Sequence, residues 1–291
     1  MAAVSERDTA EFEAVRPRLF GIAYRMLGSV AEADDVVQDA WLRWQGTDRS
    51  TVRDAGAFLA TTTTRLAINA LQSARVRRET YIGPWLPEPV DTAADPLLGA
   101  VRGEALEVGV LMLLEKLSPT ERATYVLREA FDYSYREIAT VLEIEEPNAR
   151  QLAARARTRL EGARRTSADA DEHRRLLAAI VAAAQAGEVA ALEAMLAADV
   201  LTYADGGGVV HAARKPIAGR ERVARALIGL AQKFWEGAEM VDIDANGRPS
   251  VLVRAGDGEP IVIASITATT AGVEQIHFVA NPAKLQFPVT R

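Results

Sequence analysis

Residues 134–160, SYREIATVLEIEEPNARQLAARARTRL, decide how the first half of this chain folds. Ser134 and Glu137 form an S-x-x-E capping box, in which side chain and backbone satisfy each other's free N–H groups at a helix start. Ile138, Ala139, Val141 and Leu142 give that short helix an apolar side. Residues 143–146 are polar and read as a turn, and Pro147 suits the first position of a second helix. There Leu152, Ala156 and Leu160 recur at i, i+4 and i+8 and predict a stripe facing the core. Arg150, Gln151 and Arg157 then point away from it, with Arg155 on the flank. From Pro147 to Arg165, the arginines at 150, 155, 157, 159, 164 and 165 oppose a single acid, Glu161. The pattern is a helix-turn-helix whose second helix is cationic.

That cationic helix sits in an acidic chain, with 34 Lys+Arg against 40 Asp+Glu over 291 residues. Such a local surplus suits phosphate neutralisation and base reading in a major groove. The competing reading is a solvated face on an ordinary helical hairpin. The length suggests two or three domains. Without cysteine there is no disulfide, thiolate zinc site or thiol catalysis. His173, His211 and His277 lie far apart with no ligand spacing, so neither metal nor cofactor is expected. The N-terminal MAAVSERDTAEFEAV lacks an apolar signal core, and no run approaches the roughly 18 residues needed to span a bilayer. A cytoplasmic protein without membrane contact is expected.

Four segments follow along the chain. In residues 8–79, Phe12, Val15, Leu19, Ile22, Ala23, Met26 and Leu27 recur at helical spacing. Ser29 and Glu32 make a second capping box opening AEADDVVQDAWLRW, and residues 57–79 form a further helical stretch ending in a basic cluster. Residues 80–100 carry Pro84, Pro87 and Pro89 around Trp85, a linker that is not helical. Helical periodicity resumes near Leu97, and residues 101–165 carry a third capping box at Ser118 and Glu121 leading into the helix-turn-helix. Residues 169–291 differ in texture: two Ala-rich helices (172–186 and 188–197), DGGG at 205–208, and a helix bearing Val223, Leu227, Leu230 and Phe234. Strand-like runs follow at 250–255, 260–270 and 272–280. In the last, Val273, Gln275, His277 and Val279 share one face, and Glu274, Ile276 and Phe278 the other. Helices followed by strands predict an α+β domain with a curved antiparallel sheet.

In this order the first two modules resemble the conserved regions 2 and 4 of bacterial extracytoplasmic-function (ECF) sigma factors. The residues that carry the likeness are SVAEADDVVQDAWLRW, RLAINALQSARVRRE and residues 117–160. The resemblance implies a multidomain fold, with an all-α region 2 bundle followed by a region 4 helix-turn-helix. The family often has Gly where this chain has Glu143, after the first helix of the turn motif. The YIGPWLPEPV linker, DGGG and the terminal NPAKL are further similar to the sigma J-like subgroup. Its members carry a SnoaL-like extension, an α+β cone of the nuclear transport factor 2 type. Where that subgroup commonly has Lys after DGGG and Asp within NP-x-KL, this chain has Val209 and Ala283.

Three surfaces and a regulatory contact are implied. On AEADDVVQDAWLRW, Val37, Trp41 and Trp44 form a stripe that on its own reads as core, with Asp34 and Asp35 as first-turn dipole partners. Exposed tryptophans are also typical interface anchors. The resemblance implies that Asp34, Asp35, Gln38, Asp39, Trp41, Leu42 and Trp44 dock core RNA polymerase. Arg65, Asn69, Gln72, Ser73, Arg75, Arg77 and Arg78 combine amides that can pair with base edges and a cationic track. The resemblance implies capture of the non-template −10 strand there. Asn148, Arg150 and Gln151 at the start of the cationic helix are expected to read −35 duplex, with Arg155 and Arg157 on phosphates.

Trp85, Leu86, Pro87 and Glu88 have more apolar surface than a bare spacer needs. They are expected to dock on the C-terminal domain near Asp205, Gly206, Gly207 and Gly208, whose glycines permit close backbone approach. Asn281, Pro282, Lys284 and Leu285 belong to the same regulatory contact by resemblance. A small-molecule ligand of the C-terminal domain is a further candidate partner. Tyr203, Asp205, His211 and His277 invite comparison with SnoaL-like cyclases, but their spacing forms no motif, and a non-enzyme is expected. The expected function is an alternative sigma factor whose C-terminal domain regulates it in cis. Two rivals stay open: a one-component helix-turn-helix regulator with a ligand-sensing domain, and a SnoaL-type enzyme fused to a DNA-binding module.

Overall fold

The computed structural model describes residues 6–92, 106–160 and 169–286. The resumption of helix near Leu97, and Glu161, Arg164 and Arg165, lie outside them. The described residues cluster into two compact units. One contains 6–79, 106 and 110–160; the other contains 80–92, 107–109 and 169–286.

The first unit is helical. Helices α1 (Glu6–Leu27), α2 (Val30–Gly46) and α3 (Ala55–Glu79) pack together over Phe12, Leu19, Ile22, Val36, Leu59 and Leu66. Ser29 caps α2 by accepting from the Glu32 N–H, while the Glu32 carboxylate also pairs with Arg77 and Arg78. Then come α4 (Val108–Leu114) and α5 (Pro119–Tyr125), which runs on into a π-helical turn over Val126–Ala130. The full reciprocal capping box is present at Ser118 and Glu121 and again at Ser134 and Glu137. Helices α6 (Tyr135–Leu142) and α7 (Glu146–Leu160) complete the helix-turn-helix. Leu152, Ala156 and Leu160 are buried, as their spacing requires. Glu143 ends α6 in the left-handed conformation (φ 55°, ψ 45°). A glycine would adopt it freely, whereas a side chain there costs about 1 kcal/mol.

A buried guanidinium ties these helices together. Arg122 on α5 donates to the Leu114 carbonyl (2.8 Å), to the Met26 carbonyl at the end of α1 (2.6 Å) and to Glu115 (2.8 Å). Burial holds its pKa below the ordinary arginine value, with Glu115 opposing that shift. The guanidinium of Arg25 stacks on Phe131 at 5.3 Å. Its pKa is lowered to about 10, chiefly by burial.

The second unit is α+β. Its helices α8 (Ala170–Ala186), α9 (Val189–Met195) and α10 (Arg220–Phe234) cover a six-stranded sheet of order β2-β1-β6-β5-β4-β3. The strands are β1 (Leu196–Asp205), β2 (Ile217–Ala218), β3 (Glu239–Ala245), β4 (Arg248–Arg254), β5 (Pro260–Thr269) and β6 (Gly272–Val279). Leu177, Ile180, Leu192, Val223 and Leu227 meet Val251, Val253, Ile266, Ile276 and Phe278 in the core.

Two expectations need correction. The sheet is mixed, because β1 runs parallel to β6; the long intervening chain through β2, α10 and β3–β5 allows that return. Within β6 the alternation slips. Thr267 pairs with Gln275 but Ala268 pairs with Val273, so Glu274 is the extra residue of a bulge. Val273 therefore joins Ile276 and Phe278 in the core instead of sharing a face with Gln275 and His277. The β3–β4 turn is Asn246-Gly247, both at positive φ, the pairing that a tight two-residue hairpin favours.

Candidate functional site

On α2 the acidic residues face solvent. Asp34, Asp35, Gln38 and Asp39 are exposed, and Leu42 beside them is 55% exposed. The Asp34 carboxyl is raised above its ordinary pKa, first by partial burial, with Arg16 opposing and Asp35 adding. Trp44 does not join this surface: it is 1% exposed, donates from its indole N–H to the Asp8 carbonyl at 3.3 Å, and lies against Phe58. Trp41 is half-buried against Phe12, 4.8 Å between ring centroids. The indole stripe is thus largely core, because its i, i+4, i+7 spacing follows Val37 onto the face that packs on α1 and α3. Leu42 is the large apolar side chain left to anchor a partner.

On α3, Asn69, Gln72, Ser73, Arg75 and Arg77 are exposed. Val76, missed in the sequence, stands among them at 64% exposure. Arg65 and Arg78 are differently placed. Arg65 donates to the Val141 (2.8 Å) and Thr140 (3.3 Å) carbonyls at the end of α6 and pairs with Glu143 (2.9 Å). Arg78 is half-buried, held by Glu115 and the Leu27 carbonyl, and so is largely turned away from solvent. An arginine beside a helix C-terminus finds several under-satisfied carbonyls at once.

On α7, Asn148, Arg150, Gln151 and Arg155 are exposed. Arg150 lies over the Tyr135 ring (5.0 Å) and pairs with Glu146. Arg157 departs from its expected role on phosphates. Both Nε (2.9 Å) and Nη2 (2.6 Å) bind Glu129, and that hydrogen bonding raises its pKa further. Arg159 pairs with Glu121 at 2.6 Å.

In the second unit the proline-rich segment is bound. Asp205 is fully buried and accepts from the Tyr81 hydroxyl (2.6 Å), the Leu86 N–H (2.9 Å), the Gly207 N–H (3.0 Å) and Lys284 (2.7 Å). Lys284 also donates to the Leu86 carbonyl (2.6 Å) and sits over Trp85 and Tyr81, 4.4 and 5.1 Å from their centroids. Asn281 donates to the Tyr81 oxygen at 2.8 Å. Burial first, then Asp205, holds the Tyr81 phenol above its usual pKa. Leu86 is completely buried and Pro87 also buried, with Glu88 half-buried. The chain then runs antiparallel beside β3. The Asn246 N–H donates to the Val90 carbonyl (2.9 Å), and the Thr92 N–H to the Asp244 carbonyl (3.2 Å).

Gly207 and Gly208 have φ of 63° and 74°. A Cβ on Gly207 would meet the Asn281 side chain at 2.5 Å, and one on Gly208 would meet Ile82 at 2.9 Å. Val209 and Ala283, which replace the subgroup's Lys and Asp, are both exposed. Tyr203 and His277 stack 5.9 Å apart, and burial lowers the His277 pKa to about 3.

The sequence matches Sigma-70 region 2 over residues 12–77 and Sigma-70 region 4 over 108–160. It is 39% identical over 235 residues to the ECF RNA polymerase sigma factor SigJ of Mycobacterium tuberculosis, covering 79% of this chain and 75% of that protein. The chain is an ECF sigma factor.

A probable ECF RNA polymerase sigma factor, SigI, of the same organism is 28% identical over 95% of this chain and 94% of its own length. The crystal structure of M. tuberculosis SigJ superposes with a TM-score of 0.78 at 33% identity, covering 97% of this chain and all of that one. This sigma factor is therefore of the SigJ type, with its helical regions 2 and 4 followed by a SnoaL-like domain. It binds RNA polymerase core and promoter DNA and directs promoter-specific initiation. That decides between a sigma factor and a one-component regulator. Arg122, Glu115, Tyr81 and Asn246 make contacts that no sequence motif marks. Only Asn246, in its Asn-Gly pair, carried a local signal.

Proposed function

We propose that the structure is the resting form of this sigma factor, which opens when polymerase binds. The carrying observation is the seat of Arg65, a −10 candidate, on the carbonyls that end α6 of the promoter-reading helix-turn-helix. Promoter elements centred about 25 base pairs apart are separated by roughly 80 Å at ~3.4 Å per base pair. Modules joined by a 2.8 Å hydrogen bond do not span that distance, so they must part to read both.

In this reading Asp34, Asp35, Gln38, Asp39 and Leu42 grip core polymerase. Asn69, Gln72, Ser73, Arg75 and Arg77 take the −10 strand, joined by Arg65 once freed. Asn148, Arg150, Gln151 and Arg155 read −35. The functional modules follow residues 8–79, 101–165 and 169–291, with 80–100 as the tether. The C-terminal domain acts in cis by holding that tether on Asp205, Lys284 and Asn281. In this reading the domain regulates without catalysis, which is supported by the placement of its titratable groups: on β1 and β6, Asp205 and His277 occupy the face opposite to Thr202, Ala204 and Phe278, which line the domain's cavity, and His211 at that cavity has no Asp or Glu beside it in the lining. The site of action is the cytoplasm, where core polymerase is found; among the described residues no helix is long and apolar enough to cross a membrane.

Run-off transcription with purified core polymerase tests this reading. Asp35→Lys/Asp39→Lys should abolish promoter-dependent transcript while −35 duplex binding persists. Asp205→Asn should release the tether and change transcript yield with core affinity unchanged. Wild-type yield from both variants would overturn it.

A further inference from the structure

The C-terminal unit contains a cavity of about 380 Å³ that none of the contacts above uses, within the range typical of small-ligand sites. Leu227 and Leu230 of α10 wall it on one side, Ile261 and Phe278 of the sheet on another. Its lining includes no Asp, Glu, Lys or Arg, so a charged occupant would lose its hydration without a counter-charge. Val210, His211, Gly229 and Phe234 are the exposed lining residues and mark its mouth.

Besides the exposed His211 at the mouth, two buried polar side chains interrupt the apolar wall. Thr202 and Trp235 both line the cavity and are both more than nine-tenths buried. Neither Thr202 Oγ1 nor Trp235 Nε1 has a hydrogen-bond partner among the described residues. Buried donors left unmade are costly, and a ligand oxygen would satisfy them.

The same cavity shares a wall with the tether's seat. Val210, His211, Ala212 and Ala213 line it on one side and a second depression on the other, which also takes in Ile82 and Gly83. A molecule that displaces residues 210–213 therefore disturbs the bed on which Ile82 rests against Gly208.

We propose that this cavity binds an uncharged, largely apolar small molecule carrying a neutral oxygen function, and that its occupancy alters docking of the tether. The coupling half rests on the cis-regulatory reading above; the binding half does not.

The test uses the full chain and the neutral fluorescent probe N-phenyl-1-naphthylamine. Saturable probe binding is expected, with displacement by 2-decanone at least tenfold more effective than by decanoate. Ala226→Phe should fill the cavity and weaken probe binding at least tenfold. Thr202→Val, isosteric and so tolerant of folding, should leave probe binding unchanged and should not lower the thermal midpoint, since it removes an unpartnered buried hydroxyl. With Trp235→Phe as its companion, at least one of the two should weaken 2-decanone displacement about threefold or more. Saturating 2-decanone should alter amide exchange across residues 81–86 in the wild type and not in Ala226→Phe. Absence of saturable probe binding, equal competition by decanoate, or full 2-decanone affinity in both polar variants would overturn the site. Ketone binding without change at 81–86 would overturn the coupling. If the site fails while Asp205→Asn still releases the tether, cis-regulation stands without this ligand.

Discussion

Helices α3 and α7 carry four arginines each, and the fold treats them differently. On α7 Arg157 and Arg159 pair with Glu129 and Glu121 within their own module. Its leading end, with Asn148, Gln151 and Arg155, stays open. On α3 the inward arginines cross to the other module: Arg65 to the end of α6, Arg78 to Glu115. One reading surface is therefore ready for duplex, while the other is partly closed by its companion. Charge counted along a helix measures a surplus; availability depends on which carbonyls and carboxylates each guanidinium reaches.

The contact that holds α3's companion in place is the strongest lever on this contrast. Arg122→Ala leaves the Met26 and Leu114 carbonyls without their buried donor and should cost the first unit about 3 kcal/mol. Urea unfolding of the full chain reads this as an early transition, and wild-type stability would break the comparison. A smaller effect separates two neighbours on α7. Arg155→Ala should weaken −35 duplex binding several-fold and lower the slope of log affinity against log salt by about one, whereas Arg157→Ala should lower stability with that slope unchanged. Equal salt slopes in the two variants would show that Arg157 is free to reach phosphate. The smallest effect is at the turn. Glu143→Gly relieves a left-handed residue and removes an exposed pair with Arg65, so stability should rise by about 0.5–1 kcal/mol with −35 binding unchanged. Destabilisation would mean that the Arg65 pair outweighs the backbone strain.

Local rules made much of the fold legible. The caps at Ser118 and Ser134 and the Leu152–Ala156–Leu160 stripe depend on neighbours three or four residues away, and they appear as read. Strands β4, β5 and β6 were visible in runs of β-branched residues. Strand β1 was not: LAADVLTYAD opens with helix-favouring alanines and lacks a clean alternation. The candidate surfaces were legible as chemistry but not as geometry. Trp44 and Arg78 have the residue types of an interface, and only the contacts they make, Trp44 with α1 and Arg78 with Glu115, turn them inward. The tether's docking was inferable because leaving tryptophan and leucine in water has a hydrophobic cost. Its anchor Tyr81 was not, since its role depends on Asp205, 124 residues away.

The chain has no cysteine, so a reversible clamp can be placed where α3 meets α6. An Arg65→Cys/Thr140→Cys pair bridged by a thiol-cleavable cross-linker should bind −35 duplex yet support no run-off transcription with core polymerase, and when reductant cleaves the bridge transcription should return to the level of the never-bridged double variant, which is lower than wild type for want of Arg65. Equal transcription from the bridged and cleaved forms would contradict the claim that the two modules must separate.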